Sequence, residues 1–264
     1  MTNQITQAAR LLNGKTAIIT GGASGIGLAI ARAFAAHGSR VFILDRNDDG
    51  AAAAAKEINA GGGKAEARGC DVSEARSVRK AFESIFERGP VQLLVNCAGV
   101  AHVGTVSSTG EDDFDRIMRI NVRGIFLSIR ATIEHMKQQG GGVILNMASI
   151  AASAGLPDRF AYSTSKGAVL AMTYSVARDY LDDHIRCNAI SPARVHTPFV
   201  DGFVAKNYPG REAEMMEKLG KAQPIGRMAE PEEVASLAVW LCSDEATFVT
   251  GANYPLDGGF VNLR

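Results

Sequence analysis

Thr16-Ala17-Ile18-Ile19-Thr20-Gly21-Gly22-Ala23-Ser24-Gly25-Ile26-Gly27 is the stretch from which the rest of the chain is read. Its first five residues are apolar or β-branched without a break, which predicts a strand covered on both faces. From Ile26 the spacing of apolar residues turns helical and stays so over residues 26–37. A strand that runs through a glycine-rich turn into a helix places unpaired N–H groups and the positive end of a helix dipole beside that turn. This is a seat for an anion, and the glycines let the backbone come close to a pyrophosphate. The spacing of Gly21, Gly25 and Gly27 is wider than the common dinucleotide fingerprint, so the position between strand and helix carries the reading.

The same rhythm continues outward. Apolar runs at 41–44, 91–95, 142–147 and 185–190 alternate with helical patterns at 48–59, 74–88, 112–137 and 161–181. This alternation predicts an α/β fold, a doubly wound parallel sheet of about seven strands with helices on both faces and right-handed crossovers. No repeat or linker divides the chain, so residues 1–264 are expected to form one domain. The glycine runs at 61–63 and 140–142 read as loops, and the alanine run at 51–55 as a helix surface. The polar, Met-containing segment 198–223 breaks the rhythm and suits a lid over a substrate pocket.

With 46% apolar residues the chain can build a substantial core, and 28 basic side chains against 28 acidic ones leave no net charge. No basic stripe suggests nucleic acid, and no apolar run approaches the length of a bilayer span. Residues 1–13 lack the apolar centre of a signal peptide. Cys70, Cys97, Cys187 and Cys242 are scattered, with no His partner at metal-ligand spacing. Reduced thiols, a cytoplasmic location and no metal site are expected.

Asp45 ends the second apolar run, 18 residues after Gly27. A carboxylate there can accept hydrogen bonds from the adenosine ribose hydroxyls and would repel a 2′-phosphate, which predicts NAD rather than NADP. Arg46 beside it could attract that phosphate, and the two pull in opposite directions. Farther along, Tyr162 and Lys166 share one helix face, and Ser149 follows the 142–147 run. A phenol ionises near pH ~10, too high for a base near neutrality, and a neighbouring ammonium favours the phenolate. On the pair alone, a surface Tyr and Lys of an amphipathic helix would be the plainer reading.

Taken together these motifs resemble the short-chain dehydrogenase/reductase family along nearly the whole chain. The resemblance rests on Thr20-Gly21 through Gly27, Asp71-Val72, Asn96-Cys97-Ala98-Gly99, Asn121, Ser149, Tyr162-Ser163-Thr164-Ser165-Lys166 and Asp257-Gly258-Gly259. It implies hydride transfer between a nicotinamide dinucleotide and a secondary alcohol or carbonyl. Tyr162 resembles the family's acid/base, Lys166 the cation that assists it and binds the nicotinamide ribose, and Ser149 the hydroxyl that orients the substrate. Asn121 resembles the residue that holds a relay water. Gly21, Ser24, Gly25, Ile26 and Gly27 would cradle the pyrophosphate, Asp71 and Val72 would frame the adenine, and Asn96, Ala98 and Gly99 would line the groove. Pro192, Val195 and Thr197 would meet the nicotinamide. Where the family has Pro-Gly, this chain has Pro192-Ala193, which adds bulk beside the nicotinamide.

The substrate is less legible. Arg159, three residues before Tyr162, could clamp a carboxylate, as in sugar-acid dehydrogenases that look similar at this position; Arg194 is a second candidate. His102 and His196 fall on loops at the same end of the sheet. Phe199, Phe203, Tyr208, Met215 and Met216 read as packing more than as a substrate groove. A sugar or sugar acid is the preferred small-molecule substrate, with a 3-oxoacyl thioester as the alternative and a non-catalytic dinucleotide sensor as a third possibility. The resemblance implies a homotetramer built through paired long helices and the C-terminal segment.

Overall fold

The computed structural model describes residues 10–263, without the side chains of residues 199, 206 and 207. The expectations placed on the first nine residues, on the Phe199 side chain and on Arg264 fall outside the described residues. The strands are β1 (Thr16–Thr20), β2 (Arg40–Asp45), β3 (Lys64–Gly69), β4 (Leu93–Asn96), β5 (Gly142–Met147), β6 (Ile185–Pro192) and β7 (Asn253–Leu256). They form one sheet in the order β3-β2-β1-β4-β5-β6-β7, and every neighbouring pair is parallel. The order reverses between β1 and β4, and the carboxyl ends of the strands at such a switch point leave a crevice where ligands bind in open α/β sheets.

The helices are α1 (Gly25–Ala36), α2 (Asp48–Ala60), α3 (Ala75–Phe86), α4 (Glu111–Met118), α5 (Gly124–Gln138), α6 (Phe160–Asp179), α7 (Pro198–Asn207), α8 (Glu212–Lys221) and α9 (Pro231–Cys242). Strand side chains alternate between two cores because the pleat has a period of two. Ala17, Ile19, Val41, Ile43, Leu93 and Val95 face the layer that holds α1, α2 and α9. Ile18, Phe42, Leu44, Leu94 and Ile144 face the layer that holds α3, α5 and α6. Ile18, Ile19, Leu93 and Leu94 are wholly buried, each burial being worth about 1.5–3 kcal/mol relative to exposure.

Several elements differ from what the pattern predicts. Strand β3, Lys-Ala-Glu-Ala-Arg-Gly, has almost no β propensity; as an edge strand it answers to β2 on one side only, so charged residues are tolerated there. Helix α9 is announced by a capping box between Glu230 and Glu233 with Pro231 in its first turn, a start signal readable in the sequence. The alanine run 51–55 is not a helix surface: Ala51, Ala54 and Ala55 are buried and only Ala52 and Ala53 face outward. The expected helix 112–137 is interrupted by a π-helical turn, Arg119–Arg123, in which the Gly124 N–H reaches back five residues to the Arg119 carbonyl. Segment 198–223 forms helices α7 and α8.

Candidate active site

The glycine-rich turn is built by close approach. Gly21 has φ +70, its N–H donates to the Leu44 carbonyl at 2.7 Å, and a Cβ there would lie 2.7 Å from the Ala98 Cα. A Cβ on Gly27 would lie 2.1 Å from the Gly21 carbonyl oxygen, so the start of α1 is pressed against the turn. Ser24 is the N-cap of α1 and makes no side-chain capping bond, and the first turn of α1 carries no acid. Its N–H groups and dipole therefore meet no acid from the helix itself, the arrangement that receives a phosphate. Gly25 packs toward Thr197, whose Cγ2 would be 3.4 Å from a Cβ at that position. The loop after β6 thus comes down over the turn, with Ile26 beside it.

Asp45 ends β2 and points at this turn. One carboxylate oxygen accepts from the Ala23 N–H at 3.1 Å and the other from the Asn47 N–H at 3.0 Å. Arg46 is exposed. Asp71, after β3, accepts from the Ser73 N–H and hydroxyl at 2.8 and 2.7 Å. Val72 is buried and lies against Gly124.

At the end of β4 the Thr20 hydroxyl accepts from the Cys97 and Ala98 N–H groups at 3.2 and 3.3 Å, which ties the β1 and β4 turns together. The Asn96 side chain does not line the groove. It is buried and donates to Asn146 at 2.8 Å, and Asn146 donates to Thr173 at 3.0 Å, so it braces the strand end from beneath. Gly99 borders Asn121 and Lys166: a Cβ there would stand 3.3 Å from Asn121 Oδ1 and 3.7 Å from Lys166 Nζ.

Tyr162 and Lys166 lie one turn apart on α6, with Lys166 Nζ 5.7 Å from the centre of the Tyr162 ring. Lys166 is buried and its ammonium donates to the Met147 carbonyl at 2.7 Å; among the described residues no acid pairs with it. Ser149 follows β5, is 7% exposed, and its hydroxyl accepts from the Ala151 N–H at 3.2 Å. Helix α6 packs against the short turn Ile150–Ala152 that follows Ser149. Asn121 sits in the π-helical turn and is wholly buried. Its amide donates to the Val100 carbonyl and accepts from the Val100 N–H, both at 2.9 Å, and also donates to the Ser165 hydroxyl at 3.0 Å. The one-residue excess of a π turn shifts the helix phase, and such turns gather at functional sites.

The outlying candidates are held differently. Arg159 caps α6 and donates from Nη1 to the His102 carbonyl at 3.2 Å. The His102 ring is turned to the Thr109 hydroxyl at 3.3 Å and lies 3.9 Å from Asp113. Arg194 offers its N–H to Gln223 at 3.0 Å. His196 meets Asp201, in the first turn of α7, at 2.9 Å. Val195 is buried and pairs with Ala229, and the Ala193 N–H donates to the Leu256 carbonyl at 3.0 Å. The four cysteines are free; burial pushes the Cys187 and Cys242 thiols up to about 12. No group of three or more His, Cys, Asp or Glu side chains among the described residues could hold a metal ion.

Residues 21–261 match the family described as enoyl-(acyl carrier protein) reductase. The chain is 39% identical over 250 residues to a D-threitol dehydrogenase of Mycolicibacterium smegmatis, covering 94% of each. It is 40% identical over 255 residues to an NADP-dependent (R)-specific alcohol dehydrogenase of Lentilactobacillus kefiri, covering 94% of this chain and 97% of that one. Among solved structures it resembles a 3-ketoacyl-(acyl-carrier-protein) reductase from Brucella melitensis complexed with NADH. The TM-score is 0.85 at 35% identity, over 94% of this chain and 99% of the other.

Proposed function

The chain belongs to the short-chain dehydrogenase/reductase family, and from that premise we propose that it is an NAD-dependent oxidoreductase acting on a secondary hydroxyl of a sugar or sugar acid. The observation that carries the proposal is Asp45, clamped by the Ala23 and Asn47 N–H groups at the mouth of the glycine turn. Held there, its charge opposes a 2′-phosphate and its lone pairs suit two ribose hydroxyls. The dinucleotide, when bound, supplies the hydride acceptor or donor. Gly21, Ser24, Gly25, Ile26 and Gly27 would receive its pyrophosphate, Asp71 and Val72 its adenine, Ala98 and Gly99 its ribose side, and Pro192, Val195 and Thr197 the nicotinamide end. Cys97 and Asn96 support that groove from below.

Tyr162 takes the proton from the substrate hydroxyl in oxidation and returns it in reduction. Ser149 donates a hydrogen bond to the reacting oxygen. Lys166 holds a buried positive charge beside the phenol, and such a charge favours the ionised form of a phenol. Asn121 fixes the loop that separates the cofactor groove from α6 and anchors the path by which the proton leaves. Arg159 supports an acid among the substrates: the one described hydrogen bond of its guanidinium goes to a backbone carbonyl, leaving further guanidinium donors for a carboxylate. His102, turned toward Thr109, has the weaker claim, and Arg194 stands behind Arg159. Segment 198–223 acts as the lid.

Reduction of a 3-oxoacyl thioester is the second reading, favoured by the likeness to the Brucella melitensis reductase. A dinucleotide sensor without turnover is disfavoured by the intact Ser149, Tyr162 and Lys166 set. A homotetramer is supported by a groove of about 660 Å³ along α4, α5 and α6, where Met118, Val122, Phe126 and Met172 form an apolar floor beside Asp115, Arg119 and Arg123. The buried free thiols support a cytoplasmic protein. A panel of D-threitol, other polyols, aldonates and acetoacetyl-CoA, each with NAD(H) and NADP(H), tests the proposal. Turnover of a polyol or aldonate with NAD is expected, and Arg159→Gln should raise KM for aldonates alone. Preferred reduction of acetoacetyl-CoA with NADPH would overturn it.

A further inference from the structure

We infer that Ser165 is a positioning residue for proton transfer, the pin that fixes Tyr162 and Lys166 against the cofactor side of the crevice through the Ser165–Asn121 hydrogen bond. The inference rests on the reading of Tyr162 as acid/base. Several hydroxyls on α6 bond back to their own helix: Thr164 donates to the Phe160 carbonyl and Thr173 to the Val169 carbonyl, both at 2.8 Å. Ser165 does so too, donating to the Tyr162 carbonyl at 2.7 Å. Thr164 is exposed, and its bond serves its own helix. Ser165 is wholly buried and also accepts from Asn121 Nδ2 at 3.0 Å.

That second bond joins three parts of the site. Asn121 grips both backbone groups of Val100, at the end of the loop whose Gly99 borders Lys166 Nζ. Ser165 precedes Lys166 in the chain and bonds to the carbonyl of Tyr162 itself. One hydroxyl therefore relates the residue that exchanges the proton, the residue that carries the charge and the turn that carries Asn121. The Asn121 amide has one hydrogen for Val100 and one for Ser165. Removing the Ser165 oxygen leaves a buried donor unpaired and frees α6 to shift against the turn. Small misplacements of a reacting group cost as much as 10²-fold in rate, whereas the phosphate turn and Asp45 lie on other elements and keep their geometry.

Ser165→Ala is expected to lower kcat about 10- to 100-fold, with KM for the alcohol and Kd for NADH each within about twofold of the parent. The solvent deuterium isotope effect on kcat should rise, because the proton step slows relative to the hydride step, while the effect from a deuterated alcohol falls. Ser165→Thr, which keeps the oxygen, should restore at least half of the lost rate, and a Ser165→Thr protein with the parent's melting temperature that stays as slow as Ser165→Ala counts against the inference. The assays use the full chain with D-threitol, or the best alcohol from the panel, with melting temperature and NADH fluorescence titration on the same samples. An unchanged kcat, or a fall in kcat matched by lost NADH binding and unchanged isotope effects, overturns the inference. A Tyr162→Phe control separates the two claims: if it retains turnover the acid/base reading fails, and if it is inactive while Ser165→Ala behaves as the parent only this inference fails.

Discussion

Replacing Gly27 by Ala puts the smallest possible side chain where the structure has no space for one. The new Cβ would stand 2.1 Å from the Gly21 carbonyl oxygen, 2.8 Å from its carbon and 3.1 Å from the Gly22 Cα. All three atoms are backbone, so no side chain can swing away, and the turn and α1 must separate by roughly 1 Å to reach ordinary contact. Helix α1 cannot yield easily, because Ala29, Ile30, Ala31 and Phe34 are buried in the core. The turn moves instead, and with it the N–H groups proposed to receive the pyrophosphate. Overpacking of this kind costs about 1–3 kcal/mol, and a cost of that size in a chain of this length lowers Tm by roughly 2–12 °C. The effect on the cofactor is larger, because the whole cradle is displaced: NADH affinity should fall at least about 100-fold, or about 2.7 kcal/mol. NADH fluorescence titration and differential scanning fluorimetry read the two quantities separately. Gly167→Ala is the control, since nothing lies within 4 Å of its Cβ position. Ala in that helix interior should raise stability by up to about 1 kcal/mol and leave NADH binding unchanged. NADH affinity in Gly27→Ala within about threefold of the parent, at an unchanged Tm, would refute the cradle as described.

Three further outcomes follow from the same geometry. Tyr162→Phe should abolish turnover and leave NADH affinity within about threefold, because the phenyl ring keeps its place and loses only the exchangeable proton; measurable kcat above about 1% of the parent contradicts its role. Asp45→Asn removes the charge at the turn and should bring the NAD:NADP ratio of kcat/KM down by about 10- to 100-fold, with Arg46 free to meet the 2′-phosphate; an unchanged ratio places cofactor choice elsewhere. Glu233, held by the Arg227 guanidinium and the Glu230 N–H, has its carboxyl lowered to about 2. A group whose folded pKa is depressed stabilises the fold above its unfolded value and loses that contribution as pH falls. Glu233→Gln should therefore flatten the loss of Tm between pH 4.5 and about 2, and an identical acid limb in parent and variant would count against the ion pair.

The site was legible in the sequence to the extent that its residues are consecutive or share a turn. Gly21 to Gly27 are legible from their place between a strand and a helix, and Tyr162 and Lys166 stand out only within the whole set of family motifs; the structure puts Lys166 Nζ 5.7 Å from the centre of the Tyr162 ring. Strand β3 was not legible, because pairing to β2 overrides the weak preference of Lys, Glu and Arg for extended structure. Helix α9 carried its signal in Glu230, Pro231 and Glu233. The π-helical turn had no signal at all: residues 112–137 read as one amphipathic helix, and the extra residue that turns Asn121 inward shows only when Val100 and Ser165 are there to receive its amide. Asn96, which the family resemblance assigns to the groove lining, has its side chain buried and donating to Asn146, a partner 50 residues away that only the pairing of β4 with β5 brings beside it.

The chain by itself determined its fold class and its glycine-rich turn between β1 and α1, because these depend on local periodicity and on backbone freedom at fixed spacings; the acid/base role of Tyr162 is what the family resemblance implies. Tertiary structure decided which partner each polar side chain meets: Asp45 with the Ala23 N–H, Lys166 with the Met147 carbonyl, Asn121 with Ser165. Those partners are up to 44 residues apart, and a hydrogen bond acts over about 3 Å. Only the packing of α6 and of the sheet ends around the crevice brings such groups within that range.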